Sequence, residues 1–286
     1  MKRIFLIILS IVMFLSLAAC GSDSNEPTQE KPAIFAESNV IQVTEGDFEY
    51  KLIYRSNSQI DVTVIKYNGT DKEVNIPSTV KGYTVNAIGY NAFYECDFLT
   101  SVTIPDGVTL IGRYSFHMCE SLASVTIPNS VTTIADGAFK GCESLDSIML
   151  PNSITGIGPD AFSYCFSLTS ITIPDGVAYI ADHAFDECRN LTTITIPGSV
   201  TSIGNGAFFN CYSLASVTIP NSVTSIGSMA FCLCRSLKSI TIPDSVTTIG
   251  EDCFSSWCLN TVYFQSEAQK EKLKDCFEPD VQLIVK

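Results

Sequence analysis

The chain has 286 residues and a formal net charge of −13, and 46% of its residues are hydrophobic while 16% are charged. This length allows a sizeable core, and the apolar content excludes a disordered acidic tail. The negative charge argues against a nucleic-acid partner, because that contact would require many basic side chains to neutralise phosphates. Only two histidines, His117 and His183, are present, so histidine-based chemistry has little material.

The N-terminus carries an export signal. Lys2 and Arg3 precede an uncharged, mostly apolar run over residues 4–19, which is shorter than the ~20 residues of a membrane-spanning helix and typical of a secretory signal peptide. The run ends in LAACG, which resembles the lipobox of bacterial lipoprotein precursors. We therefore predict a lipoprotein signal peptide over residues 1–19 and lipidation of Cys20. An ordinary cleavable signal with an incidental cysteine is the alternative.

Two different segments precede the main body of the chain. Residues 20–45 are predicted to be a lipidated N-terminus and flexible tether, because the stretch GSDSNEPTQEK is polar, contains proline and has no apolar period. Residues 46–76 are predicted to form an N-terminal β cap, because FEYKLIYRSNSQIDVTVIKYNGT alternates polar and apolar residues as a hairpin does.

An internal repeat fills most of the rest of the chain. Its register is marked by prolines at 77, 105, 128, 151, 174, 197, 220 and 243, and the spacing is constant from 105 onward. A fixed period in this range indicates a solenoid, in which each repeat forms one rung and neighbouring rungs bury a shared core. The first unit is longer, with extra residues around Gly82.

One unit, PNSVTTIADGAFKGCESLDSIML from Pro128, shows the plan of a rung. The segment LxxVxIP is rich in β-branched residues and is predicted to be the strand, which proline then ends because it lacks a backbone donor. A glycine or alanine column is predicted to mark a tight bend. The phenylalanine that follows, such as Phe139, is predicted to fill the widest part of the rung.

The repeat pattern CxxLxxIxIPxxVxxIGxxAF resembles the BspA-type leucine-rich repeats of bacterial surface proteins. The resemblance covers residues 77–264, about eight 23-residue rungs. It implies a mainly β fold with short helical or irregular turns: a right-handed leucine-rich-repeat solenoid with parallel stacked strands and end caps. It also implies attachment at the cell surface to host or partner macromolecules.

Residues 265–286 are predicted to close the solenoid as a C-terminal cap, since an uncovered end would expose core and strand edge. SEAQKEKLK is predicted to be a short helix capped by Ser266, and VQLIVK a final strand.

Seven of the 12 cysteines occupy one column, at positions 96, 119, 142, 165, 188, 211 and 234. We interpret them as packed, reduced thiols, because free cysteine behaves as a small buried hydrophobe and this number is odd. Disulfides or a metal are the alternatives. Near the C-terminus a disulfide between Cys258 and Cys276 is possible, but structural filling is favoured.

The sequence predicts neither catalysis nor a cofactor. His117 and His183 lie in different rungs and have no recurring serine or carboxylate partner for a catalytic triad. Acidic pairs such as Asp186–Glu187 are interpreted as solvated loop residues. Cys232-Leu-Cys234 is one residue short of the usual zinc-binding spacing. We therefore predict no enzyme activity, no metal site and no cofactor.

The outward positions of the strands form two columns of small hydroxyl side chains, broken by a methionine and a tyrosine. Threonine suits an exposed sheet for structural reasons alone, but a regular uncharged lattice could also dock an extended polysaccharide or peptide. The predicted binding face, which we call the hydroxyl face, comprises Ser124, Thr126, Ser147, Met149, Ser170, Thr172, Thr193, Thr195, Ser216, Thr218, Ser239, Thr241 and Tyr263.

The functional hypothesis is a bacterial, lipid-anchored, surface-exposed binding or adhesion protein whose partner is a host or envelope macromolecule. Contact with the membrane is expected through the lipid anchor only, and no nucleic-acid partner is expected. A ligand-free structural envelope protein is the first alternative. A hydrolase with an unrecognised site is the second.

Overall fold

The computed structural model describes residues 39–255 and 259–286. The predicted signal peptide, Cys20, most of the predicted tether and Cys258 lie outside the described residues. The described chain forms one unit by itself, Ser38–Lys286.

Most rungs contain two short strands that pair in parallel with the equivalent strands of neighbouring rungs. The first set carries the LxxVxIP segment, as predicted, and equivalent residues pair, for example Val125 with Val102 and Ile194 with Ile171. This set comprises β4 (Glu73–Asn75), β8 (Ser101–Thr103), β10 (Ser124–Thr126), β13 (Ser170–Thr172), β15 (Thr193–Thr195), β17 (Ser216–Val217), β19 (Ser239–Ile242) and β21 (Thr261–Phe264).

The second set lies on another side of the solenoid, after the turn that the proline begins. These strands have two residues each, one of which points into the core, as Ile134 does beside Ile111 and Ile157. The set comprises β7 (Ala87–Ile88), β9 (Leu110–Ile111), β11 (Thr133–Ile134), β12 (Gly156–Ile157), β14 (Tyr179–Ile180), β16 (Ser202–Ile203), β18 (Ser225–Ile226) and β20 (Thr248–Ile249).

A column of phenylalanines runs through the core. Ring centroids of successive rungs lie 5.3 Å apart for Phe116 and Phe139 and 5.6 Å apart for Phe162 and Phe185, with interplanar angles below 4°. Phe162 is fully buried. The predicted role of this column, to fill the wide part of each rung, is confirmed, and parallel stacking of the rings ties each rung to its neighbours.

The N-terminal cap begins at Val40, so residues 40–45, which were assigned to the tether, form a strand instead. The cap comprises β1 (Val40–Glu45), β2 (Phe48–Tyr54) and β3 (Ile60–Tyr67), paired antiparallel in that order, and β3 pairs in parallel with β7. Its aromatic side chains cover the end of the phenylalanine column, since the Tyr67 ring stacks on Phe93 at 5.3 Å. The predicted hairpin is therefore present, with one more strand.

The extra length of the first unit forms a small hairpin. Its strands are β5 (Thr79–Val80) and β6 (Tyr83–Thr84), paired antiparallel. Lys81 and Gly82 join them with φ angles of 52° and 81°. Two successive left-handed residues match the twist of a tight hairpin, which is why glycine stands at the second position.

The C-terminal cap is a modified rung. Helix α1 (Glu267–Leu273) begins at Ser266, whose hydroxyl accepts a hydrogen bond from the Gln269 backbone at 3.2 Å, as predicted, and a single 3₁₀ turn (Lys274–Cys276) follows. The last strand, β22 (Gln282–Val285), pairs in parallel with β21. Phe277 stacks on Phe254 at 5.3 Å and thereby extends the phenylalanine column into the cap.

The glycine and alanine column stands at the start of a tight turn, as predicted, since the Ala161 N–H donates to the Gly158 carbonyl at 3.3 Å. Gly158 and the equivalent glycines do not have positive φ angles, so the backbone there is accessible to any residue. A Cβ atom on Gly158 would lie 2.6 Å from the backbone nitrogen of Asp136 in the preceding rung. Close approach of successive rungs therefore restricts this column to small residues.

We expect Phe162→Ala to lower the free energy of unfolding by ~3–5 kcal/mol, the usual range for truncating a buried phenylalanine. Because each rung of a solenoid is stabilised by its neighbours, the amides of the adjacent rungs should also become less protected from hydrogen exchange. Urea unfolding and amide hydrogen exchange measure both effects.

The matched control for this substitution is Met149→Ala, since the Met149 side chain is 85% exposed. It should leave the unfolding midpoint nearly unchanged. A Phe162→Ala variant that unfolds like the control would show that the column does not stabilise the rungs.

Candidate functional site

The hydroxyl face lies on the outward side of the first strand set. Its serines and threonines are exposed, and Tyr263 is half-buried. Equivalent members lie opposite one another across the parallel strands, as Thr172 does beside Thr195 and Thr241 beside Tyr263. Binding by this face stays a prediction, because an exposed parallel sheet accepts threonine for structural reasons as well.

The threonine hydroxyls of this face differ from others in the rung. Thr169 and Thr192 donate their hydroxyls to the backbone carbonyl of the preceding rung at 3.2 and 3.1 Å. In contrast, the hydroxyls of Thr172 and Thr195 make no hydrogen bond within the described residues. These hydroxyls therefore keep both their donor and their acceptor capacity for an external group.

The hydroxyl face is less regular than the sequence suggested. In the described chain, the rung that contains Met149 has no strand at this side and keeps a single bridge from Ser147 to Ser170. The pairing is broken again between β17 and β19. At the C-terminal end the Lys286 ammonium lies 3.4 Å from the centroid of the Tyr263 ring, so this aromatic already has a cation on its face.

The column cysteines are free, buried thiols. Each from Cys119 onward donates its S–H to the backbone carbonyl of the phenylalanine in the preceding rung, for example Cys165 to Phe139 at 3.3 Å and Cys211 to Phe185 at 3.2 Å. Burial raises the pKa of these thiols well above their usual range, and that of Cys96 to about 11. A buried neutral thiol is a poor nucleophile, so the geometry fits packing rather than chemistry.

Neither histidine is part of a catalytic relay in the described residues. His117 is bonded through Nδ1 to the Lys140 carbonyl at 2.8 Å, and His183 lies 3.4 Å from the Asp186 carboxylate. No serine or cysteine side chain in the described chain hydrogen-bonds to either ring.

The acidic pair 186–187 is not solvated as the sequence suggested. Burial raises the pKa of Asp186 to about 6, although His183 acts in the opposite direction. Glu187 accepts hydrogen bonds from Asn210 at 2.6 Å and Arg189 at 2.8 Å. Glu187 therefore links its rung to the next one through Asn210.

Two further features concern metals and membranes. Within residues 39–255 and 259–286, no group of three or more histidine, cysteine or acidic side chains is close enough to hold a metal ion. Over the same residues, the helices are too short to span a bilayer.

A further surface, not predicted from the sequence, is what we call the edge: the turns between the second and the first strand of each rung, at residues 90–97, 113–120, 136–143, 159–166, 182–189, 205–212 and 228–235. Here the side chains change from rung to rung, whereas the hydroxyl face repeats serine and threonine. Tyr90, Tyr94, Tyr114 and His117 form an aromatic group with centroid separations of 5.4–6.2 Å. Variation at a fixed repeat position was the signal that could have revealed this surface.

The parallel rungs, the continuous apolar columns and the small polar columns outside define a leucine-rich-repeat solenoid protein. The sequence profile of the family described as "BspA type Leucine rich repeat region" matches six copies over residues 86–176 and 155–280. The match covers more than half of the chain, and the chain therefore belongs to the BspA-type leucine-rich repeat family.

Solved structures share the fold. A leucine-rich repeat protein from Bacteroides ovatus is 26% identical with a TM-score of 0.57, and the match covers 88% of this chain and 67% of that one. The T. pallidum leucine-rich repeat protein is 24% identical with a TM-score of 0.58, and the match covers 85% of this chain and all of that one. A search of curated protein sequences gave no significant match.

We expect the column thiols to be unreactive in the folded protein, because they are buried and un-ionised at neutral pH. Titration with a disulfide reagent should detect few thiols natively and most of them after denaturation. Rapid native reaction of the column, or mass-spectrometric detection of linked pairs within it, would contradict the packing role.

Proposed function

We propose that this protein is an exported lipoprotein that binds a host or envelope macromolecule along its solenoid at the bacterial surface and catalyses no reaction. The observation that supports binding comes from the hydroxyl face. Thr172 and Thr195 lie opposite each other on consecutive rungs, and their hydroxyls have no hydrogen-bond partner within the described chain. An extended partner would contact many such groups, each weakly, which suits a long open surface better than a closed pocket.

The family supports the same proposal in general terms, since leucine-rich repeat proteins typically serve as binding scaffolds. Two features of the sequence support the export and anchoring part: the apolar run over residues 4–19 and the LAACG motif that ends at Gly21. Several acyl chains on one cysteine would anchor the chain stably, whereas a single chain gives only marginal binding. A structural envelope protein without a ligand is the competing proposal.

Lipidation is tested by metabolic labelling of the bacterium with a fatty-acid probe. The wild-type chain should carry the label and sediment with membranes, whereas Cys20→Ala should lose both properties because the acceptor sulfur is gone. Cys276→Ala, which removes a half-buried cysteine, is the control and should label normally. Equal labelling of the Cys20→Ala variant would exclude Cys20 as the acceptor.

Binding by the hydroxyl face is tested with the double variant Thr172→Glu and Thr195→Glu. Two negative charges should abolish binding to immobilised host-matrix or bacterial-envelope extract, because burying an unpaired carboxylate under a partner carries a large desolvation cost. The melting temperature should change little, because both side chains are exposed. Biolayer interferometry and thermal unfolding measure the two quantities.

The matched control is Ser225→Glu with Thr248→Glu, a pair of opposed residues on consecutive rungs of the second strand set. It should bind both extracts like the wild type. Loss of binding in the control alone would move the site to the other sheet, and a wild-type protein that captures nothing from either extract would favour the structural envelope role.

A further inference from the structure

One position of the edge changes its chemistry in an ordered way along the solenoid. It lies directly after the cysteine column, and we call it the edge column. From the N-terminal to the C-terminal rung it changes from acidic to apolar and then to basic and aromatic. Its members are Asp97, Glu120, Glu143, Phe166, Arg189, Tyr212 and Arg235.

Stacking holds the basic half of the edge column in place. The Arg189 guanidinium carbon lies 4.4 Å from the centroid of the Phe166 ring, and that of Arg235 lies 4.7 Å from the centroid of Tyr212. A stacked guanidinium keeps its N–H donors at its rim, so the contact orders the side chain without consuming its hydrogen-bonding capacity.

The charges of the edge column are largely unpaired. Asp97 and Glu120 are exposed and Glu143 is half-buried, and none of the three makes an ion pair or a side-chain hydrogen bond within the described residues. Arg235 is exposed and likewise has no carboxylate partner there. Arg189 uses Nε for Glu187 at 2.8 Å, which leaves its two terminal nitrogens available.

We propose that the edge column is the contact between two copies of this chain, arranged antiparallel about a two-fold axis at Phe166. A second copy has the same rung spacing, about 4.8 Å, so reversing it keeps every rung in register. The contacts, each made twice except the first, are Phe166 with Phe166 of the second copy, Glu143 with its Arg189, Glu120 with its Tyr212, and Asp97 with its Arg235.

Charge selects this arrangement over its neighbours. A parallel pair would place each acid opposite the same acid and each arginine opposite the same arginine. An antiparallel pair centred on the adjacent rung would place Glu143 opposite Glu143, or Arg189 opposite Arg189. A centre between Phe166 and Arg189 keeps only the ion pair of Glu120 with Arg235. The Phe166 centre has two kinds of ion pair, and such complementarity sets register more than raw affinity.

The flank of the edge column permits close approach. The next residue in each rung is small and polar from the second rung to the seventh: Ser121, Ser144, Ser167, Asn190, Ser213 and Ser236. In the antiparallel arrangement this flank faces itself, so small polar groups face one another from the second rung to the sixth, and Phe98 of the first rung faces Ser236.

A second copy explains the edge column better than other partners do. An acidic peptide or polysaccharide would use the arginines and be repelled by the three carboxylates, and a basic partner would do the reverse. A self-complementary surface is what a two-fold interface requires. The inference goes beyond the proposed function, because it concerns a different surface and does not depend on the hydroxyl face or the lipid anchor.

The association is expected to be weak and sensitive to salt. The edge column is one residue wide, so the area it buries is smaller than that of a stable interface. Salt also weakens exposed ion pairs, because the screening length is ~10 Å at 0.1 M salt. Sedimentation equilibrium of the full chain in a mild detergent should show a monomer–dimer equilibrium at low salt that shifts to monomer as salt is added.

Charge reversal tests the proposed pairing. Asp97→Arg alone places arginine opposite Arg235, and Arg235→Asp alone places aspartate opposite Asp97, so each should raise the dissociation constant at least tenfold. An equimolar mixture of the two variants should dimerise again, because both contacts of the mixed dimer then join opposite charges. Asp106→Arg and Lys72→Asp, exposed reversals off the column, should behave like the wild type.

Three results would overturn the proposal. They are a wild-type chain that stays monomeric at low salt, single variants that dimerise normally, and recovery when Arg235→Asp is mixed with Glu120→Arg instead of Asp97→Arg. Thermal unfolding checks each variant. Where a reversal lowers the melting temperature, Asp97→Asn and Arg235→Gln replace it, and dimerisation at wild-type strength in both would also overturn the pairing.

Discussion

Hydrogen bonding between successive rungs is the constraint on which the rest of the solenoid depends. On the second strand side a rung donates backward, as Gly112 N–H does to the Ile88 carbonyl at 2.8 Å, and on the edge it donates forward, as Phe116 N–H does to Ala138 at 2.8 Å. Each rung is therefore bonded in both directions and must repeat the backbone of its neighbours. The requirement is strong enough to hold Tyr114 and Met229 at positive φ, where residues with a Cβ are normally disfavoured.

Because the backbone of every rung is fixed, side-chain chemistry can vary from rung to rung only at exposed positions. The hydroxyl face repeats, and that repetition suits either a stable sheet or a partner with its own regular spacing. The edge does not repeat, and aromatic and arginine side chains, which dominate binding energy at protein interfaces, concentrate there. Gly137 shows how the backbone accommodates this surface. A Cβ atom there would collide with the Tyr114 ring of the preceding rung, so glycine leaves the space that the ring occupies.

The period, the strand, the buried phenylalanine and cysteine columns and the two caps could all be predicted from sequence, because each follows from spacing or from a local signal such as Ser266. The continuation of the column into the C-terminal cap was missed: Asp-Cys-Phe at 252–254 recurs at 275–277, but the helix between them hides the repeat. The strand at residues 40–45 and the break at Met149 depend on pairing with other rungs, which a local pattern does not encode. The edge column was missed for the same reason, since its charged side chains form a single line only when the rungs are stacked.

The proposed lipid anchor would make weak contacts between copies sufficient. Surface ion pairs such as Asp97 with Arg235 contribute little one at a time, but copies held on one surface by the proposed anchor would meet at an effective concentration far above that in dilute solution. An antiparallel pair places its two N-terminal caps at opposite ends. The hydroxyl face lies on a different side of the rung from the edge and stays available in such a pair. The proposed self-association and the proposed partner binding are therefore compatible, and a two-fold pair would present the hydroxyl face twice.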